Sequence, residues 1–275
     1  MPENASNNAV VFESENGIGT IQLNRPEVHN AVNQSVIEAL ETTLDKVDAD
    51  DAVRALIITG AGSTTFCAGG DLQYFATLDT REKGLEMSRR MQVLLGRLWS
   101  GSKPVVAAIN GQALGGGCEI LTACHFRIAA STASFAYRQA QNGLITGWGG
   151  GARLFHLVGR TWALRLLLTG DQIDTAQALS IGLIDDVAKP GEVHAAALAL
   201  AKRISRHSPG VIAAILELAR LHYDCDSSIA IERETELFGD RWTSDEFRDA
   251  INEFRINRSA KAQETKKSQK EINDV

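Results

Sequence analysis

Two short apolar runs in the first half of the chain constrain its fold more than any other feature. Arg54-Ala55-Leu56-Ile57-Ile58-Thr59-Gly60, closed by glycine, and the run from Pro104 to Ile109 are too short for core helices and too continuously apolar for half-exposed strands. Such runs read as strands buried on both faces. Between them Met87, Met91, Leu94, Leu95 and Leu98 recur at helical spacing. Strand, loop, helix and strand in alternation imply an α/β core with crossover connections.

The flanking segments fill in the rest. Residues 9–13 and 18–23 are β-rich and flank Asn16-Gly17, which predicts a hairpin, and Arg25-Pro26 ends its second strand. Val36, Ile37, Leu40, Leu44 and Val47 mark an amphipathic helix, with Ser35 and Glu38 expected as its capping box. Further strands are expected at 126–130 and 133–137, and a helix over 119–123. Beyond residue 150 helices are expected near 151–158, 161–168, 176–181, 191–206, 209–223, 228–238 and 244–255. Thr243 and Glu246 are the expected cap of the last one, and Phe247, Ile251 and Phe254 its apolar stripe. The division expected is a core over 1–200, a helical region over 201–258 and a polar, mobile tail over 259–275. No internal repeat is evident.

Composition narrows the function classes. The 275 residues are 44% apolar and 23% charged, as in globular proteins, and the net charge of -6 argues against general nucleic-acid binding. Cys67, Cys118, Cys124 and Cys225 form no C-x-x-C pair and no disulfide framework, which fits a reducing compartment. Residues 1–8 lack the order of a signal peptide and no apolar run approaches the length of a membrane span. A cytoplasmic protein without membrane contact is expected.

Each buried strand is followed by a glycine-rich loop, and the repetition says more than either loop alone. The loops are Phe66-Cys67-Ala68-Gly69-Gly70-Asp71-Leu72 and Leu114-Gly115-Gly116-Gly117-Cys118-Glu119. In open α/β sheets ligands collect where strand ends and helix N-termini point N–H groups outward. Gly70 and Gly116 are placed to offer bare amides to a carbonyl oxygen that gains negative charge. A single loop of this kind would more often be a tight turn. Neither loop matches the dinucleotide or P-loop patterns.

Several motifs occur in order along the chain: Asn24-Arg25-Pro26 with Asn30-Ala31, the Phe66 to Asp71 loop, Lys103-Pro104-Val105-Val106-Ala107-Ala108-Ile109-Asn110-Gly111, the Gly-Gly-Gly-Cys-Glu stretch, Leu168-Thr169-Gly170, and Gly182-Leu183-Ile184. From about residue 10 to 258 the chain resembles the enoyl-CoA hydratase/isomerase family, the crotonase superfamily. The resemblance implies a spiral of β-β-α units with a helical C-terminal trimerisation region, self-association as a trimer or dimer of trimers, and an acyl-CoA thioester substrate. It implies no cofactor beyond the coenzyme A carried by that substrate. Gly70 and Gly116 then hold the thioester oxygen, Glu119 handles water or a proton, and Ala68, Asp71 and Leu72 line the coenzyme A arm.

Two positions depart from the common hydratase pattern. Where the family carries a second glutamate this chain has Gln139, and an amide is no general acid or base near neutral pH. Trp148 in Gly147-Trp148-Gly149-Gly150-Gly151 looks closer to ethylmalonyl- and methylmalonyl-CoA decarboxylase-like members; there it could wall the place of a departing carboxylate, although packing on a glycine turn is the commoner use of such a ring. A hydratase-type lyase is therefore the leading expectation, with a decarboxylase or isomerase working through the same enolate as the alternative.

Other candidates carry less. Tyr137, Arg138 and Gln141 fall near the variable acyl end, and an arginine there is usually a surface ion-pair partner. His29 and His125 lack metal spacing, and Cys67 and Cys118 lack a base beside them. RNA binding, known among family relatives, would favour a basic helix, yet the first helix carries Glu38, Glu41, Asp45 and Asp48 against Lys46, and the basic tail residues Lys261, Lys266, Lys267 and Lys270 are diluted by acids. A serine hydrolase is disfavoured because the two loops contain no serine.

Overall fold

The computed structural model describes residues 9–224 and 227–242, with 244, 245, 247 and 249. The expected tail over 259–275, the cap residues Thr243 and Glu246, and Ile251 and Phe254 lie outside the described residues. The chain forms two compact units, one ending at Leu216 and one beginning at Glu217. Among the described residues no helix is long and apolar enough to cross a membrane.

In chain order the strands are β1 (Val10–Glu15), β2 (Ile18–Leu23), β3 (Ala55–Gly60), β4 (Thr65–Cys67), β5 (Val105–Ile109), β6 (Gln112–Leu114), β7 (Phe126–Ala130), β8 (Ser134–Ala136), β9 (Ile173–Asp174) and β10 (Asp186–Ala188). The helices are α1 (Gln34–Ala49), α2 (Leu72–Phe75), α3 (Arg81–Ser100), α4 (Gly116–Thr122), α5 (Gly150–Thr169), α6 (Thr175–Ser180), α7 (Val193–Ile204), α8 (Pro209–Asp224) and α9 (Ser227–Trp242). One sheet has the order β1-β2-β3-β5-β7-β10 and the other β4-β6-β8-β9. The chain therefore visits the first sheet, the second sheet and then a helix, turn after turn, which is the β-β-α spiral expected.

Register is parallel at each step: Leu56 lies opposite Val105 and Val106 opposite Phe126, while Thr65 lies opposite Gln112 and Ala113 opposite Phe135. Among the described residues only the hairpin at the start and the short pair of β8 with β9 run antiparallel. Asn16 and Gly17 turn that hairpin with φ of 53° and 80°, the conformation its tight turn requires.

Every residue of β3 and β5 is buried, which explains their continuous apolarity. Alternation still operates within the core. Leu56 and Ile58 join the cluster with Leu40 and Leu44 of α1 and Leu94 and Leu95 of α3, whereas Ala55 and Ile57 join Val193, Ala197 and Ala201 of α7. Burying each Leu or Ile contributes about 1.5–3 kcal/mol. Arg90 clasps α3 to α1 through two 2.8 Å bonds to the Glu41 carboxylate.

Local expectations needed three corrections. The cap of α1 is Asn33, whose side chain accepts from Val36 N–H at 3.1 Å, and Ser35 only donates to that same oxygen. The helices expected at 151–158 and 161–168 form one element, α5, interrupted at Gly159. β4, β6, β9 and β10 were not anticipated, because two or three residues carry no period to read.

Candidate active site

The second sheet ends in the two glycine loops, and they touch backbone to backbone. A Cβ on Gly69 would come within 2.8 Å of the Gly116 nitrogen, and one on Gly117 within 2.1 Å of the Cys67 oxygen. Val32 fixes the first loop: its N–H donates to the Gly69 carbonyl at 2.7 Å and its carbonyl accepts from Asp71 N–H at 2.9 Å. That bridge does not use the Gly70 amide. Gly116 is the first residue of α4, where an N–H has no intrahelical acceptor. Gly70 and Gly116 both line a cavity of about 560 Å³, together with Ala68, Leu72, Glu119, Gln139 and Trp148.

Asp71 has two structural partners of its own. One carboxylate oxygen caps α2 through the Gln73 and Tyr74 amides, and the other pairs with Arg25 at 2.9 Å. Burial would raise its pKa, but the Arg25 guanidinium and those amides outweigh burial and hold it low. The residue anchors the loop carrying Gly70 and is not among those lining the cavity, whereas Leu72 lines it and is exposed.

Glu119 is only 2% exposed, and its carboxylate is held by groups outside the helix containing it. Its Oε1 accepts from Gly147 N–H at 3.2 Å and Gln139 Nε2 at 3.1 Å; its Oε2 accepts from Trp148 N–H at 2.8 Å and Gly150 N–H at 3.0 Å. A carboxylate has about four acceptor positions, so all are occupied. Three donors come from the N-terminus of α5, a built anion site. Burial raises the pKa of Glu119, and the four donors oppose that rise without cancelling it.

Gln139 sits where the second carboxylate was expected. Its Nε2 must face Glu119, since the reverse orientation would set two acceptor oxygens against each other. Its Oε1 is buried without a hydrogen-bond partner. A neutral acceptor thus stands beside a fully held carboxylate in one cavity.

The weaker candidates separate cleanly. Tyr137 is buried in the core, its hydroxyl unpartnered, and does not line the cavity. Arg138 lines it, yet its guanidinium donates to the Gly170 carbonyl at 3.0 Å and to the Gln141 amide oxygen, bracing the C-terminus of α5 rather than pairing with a carboxylate. Burial pushes the thiols of Cys67 and Cys124 up to about 12 and that of Cys118 higher still, so none is a nucleophile. His125 stacks on Trp99 and its Nδ1 accepts from Val105 N–H at 3.0 Å; burial, then the nearby Arg127 charge, lower its pKa to about 4.

Sequence reasoning missed Phe75 and Met87 as cavity residues. Met87 read as part of the α3 core stripe, and only the fold shows its sulfur 3.3 Å from the Trp148 indole nitrogen.

Known proteins resemble this chain along most of its length. The family described as enoyl-CoA hydratase/isomerase matches residues 13–265. The chain is 34% identical to the short-chain-enoyl-CoA hydratase of Clostridium acetobutylicum, covering 90% of this chain and 94% of that protein. It is also 34% identical to the crotonyl-CoA hydratase of Syntrophomonas wolfei, covering 91% and 96%. Among solved structures, an enoyl-CoA hydratase from Bacillus anthracis superposes with a TM-score of 0.86 at 28% identity, over 90% of this chain and 96% of that one. Pseudomonas aeruginosa DspI gives 0.87 at 32% identity, over 93% and 97%.

Proposed function

The chain belongs to the enoyl-CoA hydratase/isomerase family, and on that premise we propose that it is a hydratase-type lyase adding water to a 2-enoyl-CoA thioester. The single observation that carries this reading is the meeting of Gly70, Gly116 and the buried Glu119 in one cavity. As water bonds to the β-carbon, the π electrons move onto the thioester oxygen, and two preorganised N–H donors stabilise that charge. Losing one such donor typically costs roughly 3 to 4 kcal/mol in barrier. The intermediate then takes a proton at the α-carbon.

Glu119 is the group that takes the proton of the attacking water. Oε1 is the oxygen that opens to it, because one of its two donors, the Gln139 amide, is a side chain able to rotate, while the other three contacts are backbone. With Gln139 in place of a second acid, the proton accepted by Glu119 is also the one available for the α-carbon. No cofactor is needed beyond the coenzyme A of the substrate. Assembly as a trimer or dimer of trimers through 201–258, and a cytoplasmic location, belong to the same proposal; the native mass in solution checks the first.

A second reading is favoured by the same full occupancy of Glu119 and the neutral Gln139: loss of carbon dioxide from an alkylmalonyl-CoA, which needs the oxyanion site and less of a base. A turnover panel of enoyl-, 3-hydroxyacyl- and alkylmalonyl-CoA thioesters read by mass spectrometry separates them. Gain of water by crotonyl-CoA supports the hydratase; carbon dioxide release from ethylmalonyl-CoA with no hydration overturns it.

A further inference from the structure

We propose that Trp148 is a specificity-determining residue that limits the length of the acyl chain the cavity admits. The inference rests on the reading of Gly116 as a thioester-oxygen donor. The six-membered ring of the indole lies directly on that glycine: a Cβ at Gly116 would come within 2.2 to 2.8 Å of the ring carbons Cζ3, Cη2 and Cε3. An oxygen bound to the Gly116 amide sits about 3 Å from its nitrogen. The acyl chain leaving that carbonyl therefore meets the indole within its first few carbons.

The ring is held in place from several sides. Its N–H donates to the Met87 sulfur at 3.3 Å, tying it to α3, while the Trp148 amide donates to Glu119 and the Trp148 carbonyl accepts from Arg153 at 3.0 Å. The residue lines the cavity yet is only 4% exposed, so the ring fills space instead of flanking it. At the other oxyanion glycine the Phe75 ring occupies the corresponding place, within 2.0 to 2.8 Å of a Cβ on Gly70. The edge of an aromatic ring therefore crowds both glycines. A long or branched chain cannot pass there without moving the indole.

Because the backbone amide of residue 148 holds Glu119 whatever the side chain, trimming the ring changes room for the acyl group and leaves that hydrogen bond available. The test measures binding of saturated butyryl-, hexanoyl-, octanoyl- and decanoyl-CoA by calorimetry, which requires no turnover. The wild type is expected to bind octanoyl-CoA at least tenfold more weakly than butyryl-CoA. Trp148→Ala removes or reverses that preference, Trp148→Phe keeps part of it, and Met87→Leu, which deletes the acceptor of the indole N–H, relaxes it by about threefold. An unchanged chain-length profile in folded Trp148→Ala, or in Trp148→Phe and Met87→Leu should the alanine variant not fold, overturns the proposal, as does a wild type without the preference. A protein that shows the profile but hydrates nothing contradicts the hydratase reading and leaves this one standing; a protein that binds none of the four contradicts both.

Discussion

Glu119 shows how far one side chain's chemistry is set by groups distant in sequence. Its place behind three glycines marks it as a candidate, but three of its four donors lie 28 to 31 residues later, at the start of α5. The fourth, Gln139, favours the ionised carboxylate while burial disfavours it. Removing that donor with Gln139→Ala should raise the Glu119 pKa further. Since the base is the ionised form, the acidic limb of the kcat/KM profile for hydration is expected to move to higher pH; a limb that stays put argues that the amide does not act on Glu119. That Gly70, Gly116, Glu119 and Gln139 line one cavity was legible from the repetition of the glycine loops and from the family resemblance, not from any one loop. The pairing of Asp71 with Arg25 was not legible, because Arg25 lies 46 residues away.

Among the elements, those with a period were legible and those without were not. α1 and α3 show helical spacing, and β3 and β5 show continuous apolarity, whereas β4 and β6, which deliver the loops, have three residues each. Their positions follow from pairing, which no local pattern records. α5 makes the point differently: the sequence reads as two helices because Gly159 breaks it, with φ of 73° and ψ of 167°. That backbone region is essentially reserved for glycine. Nothing lies within 4 Å of a Cβ placed there, so the cost of Gly159→Ala is conformational and not steric. A loss of about 1–3 kcal/mol in unfolding free energy is expected from urea denaturation; an unchanged midpoint would mean that the break relaxes into continuous helix.

At the scale of the molecule, the β-β-α spiral explains why the site stands where it does. Each turn delivers one strand to the second sheet, and consecutive strands end side by side, so loops some 45 residues apart in sequence meet across a backbone contact. Around that meeting point Glu119, at the end of the second loop, and Gln139 and Trp148, from later in the chain, line the same cavity. The central claim is that Glu119 performs proton transfer next to the Gly70 and Gly116 amides. Its most direct test is steady-state hydration of crotonyl-CoA by Glu119→Gln, with retained butyryl-CoA binding as the check on folding. The account predicts a kcat lower by about 10²- to 10⁴-fold with little change in KM; a variant that hydrates crotonyl-CoA at the wild-type rate would contradict it.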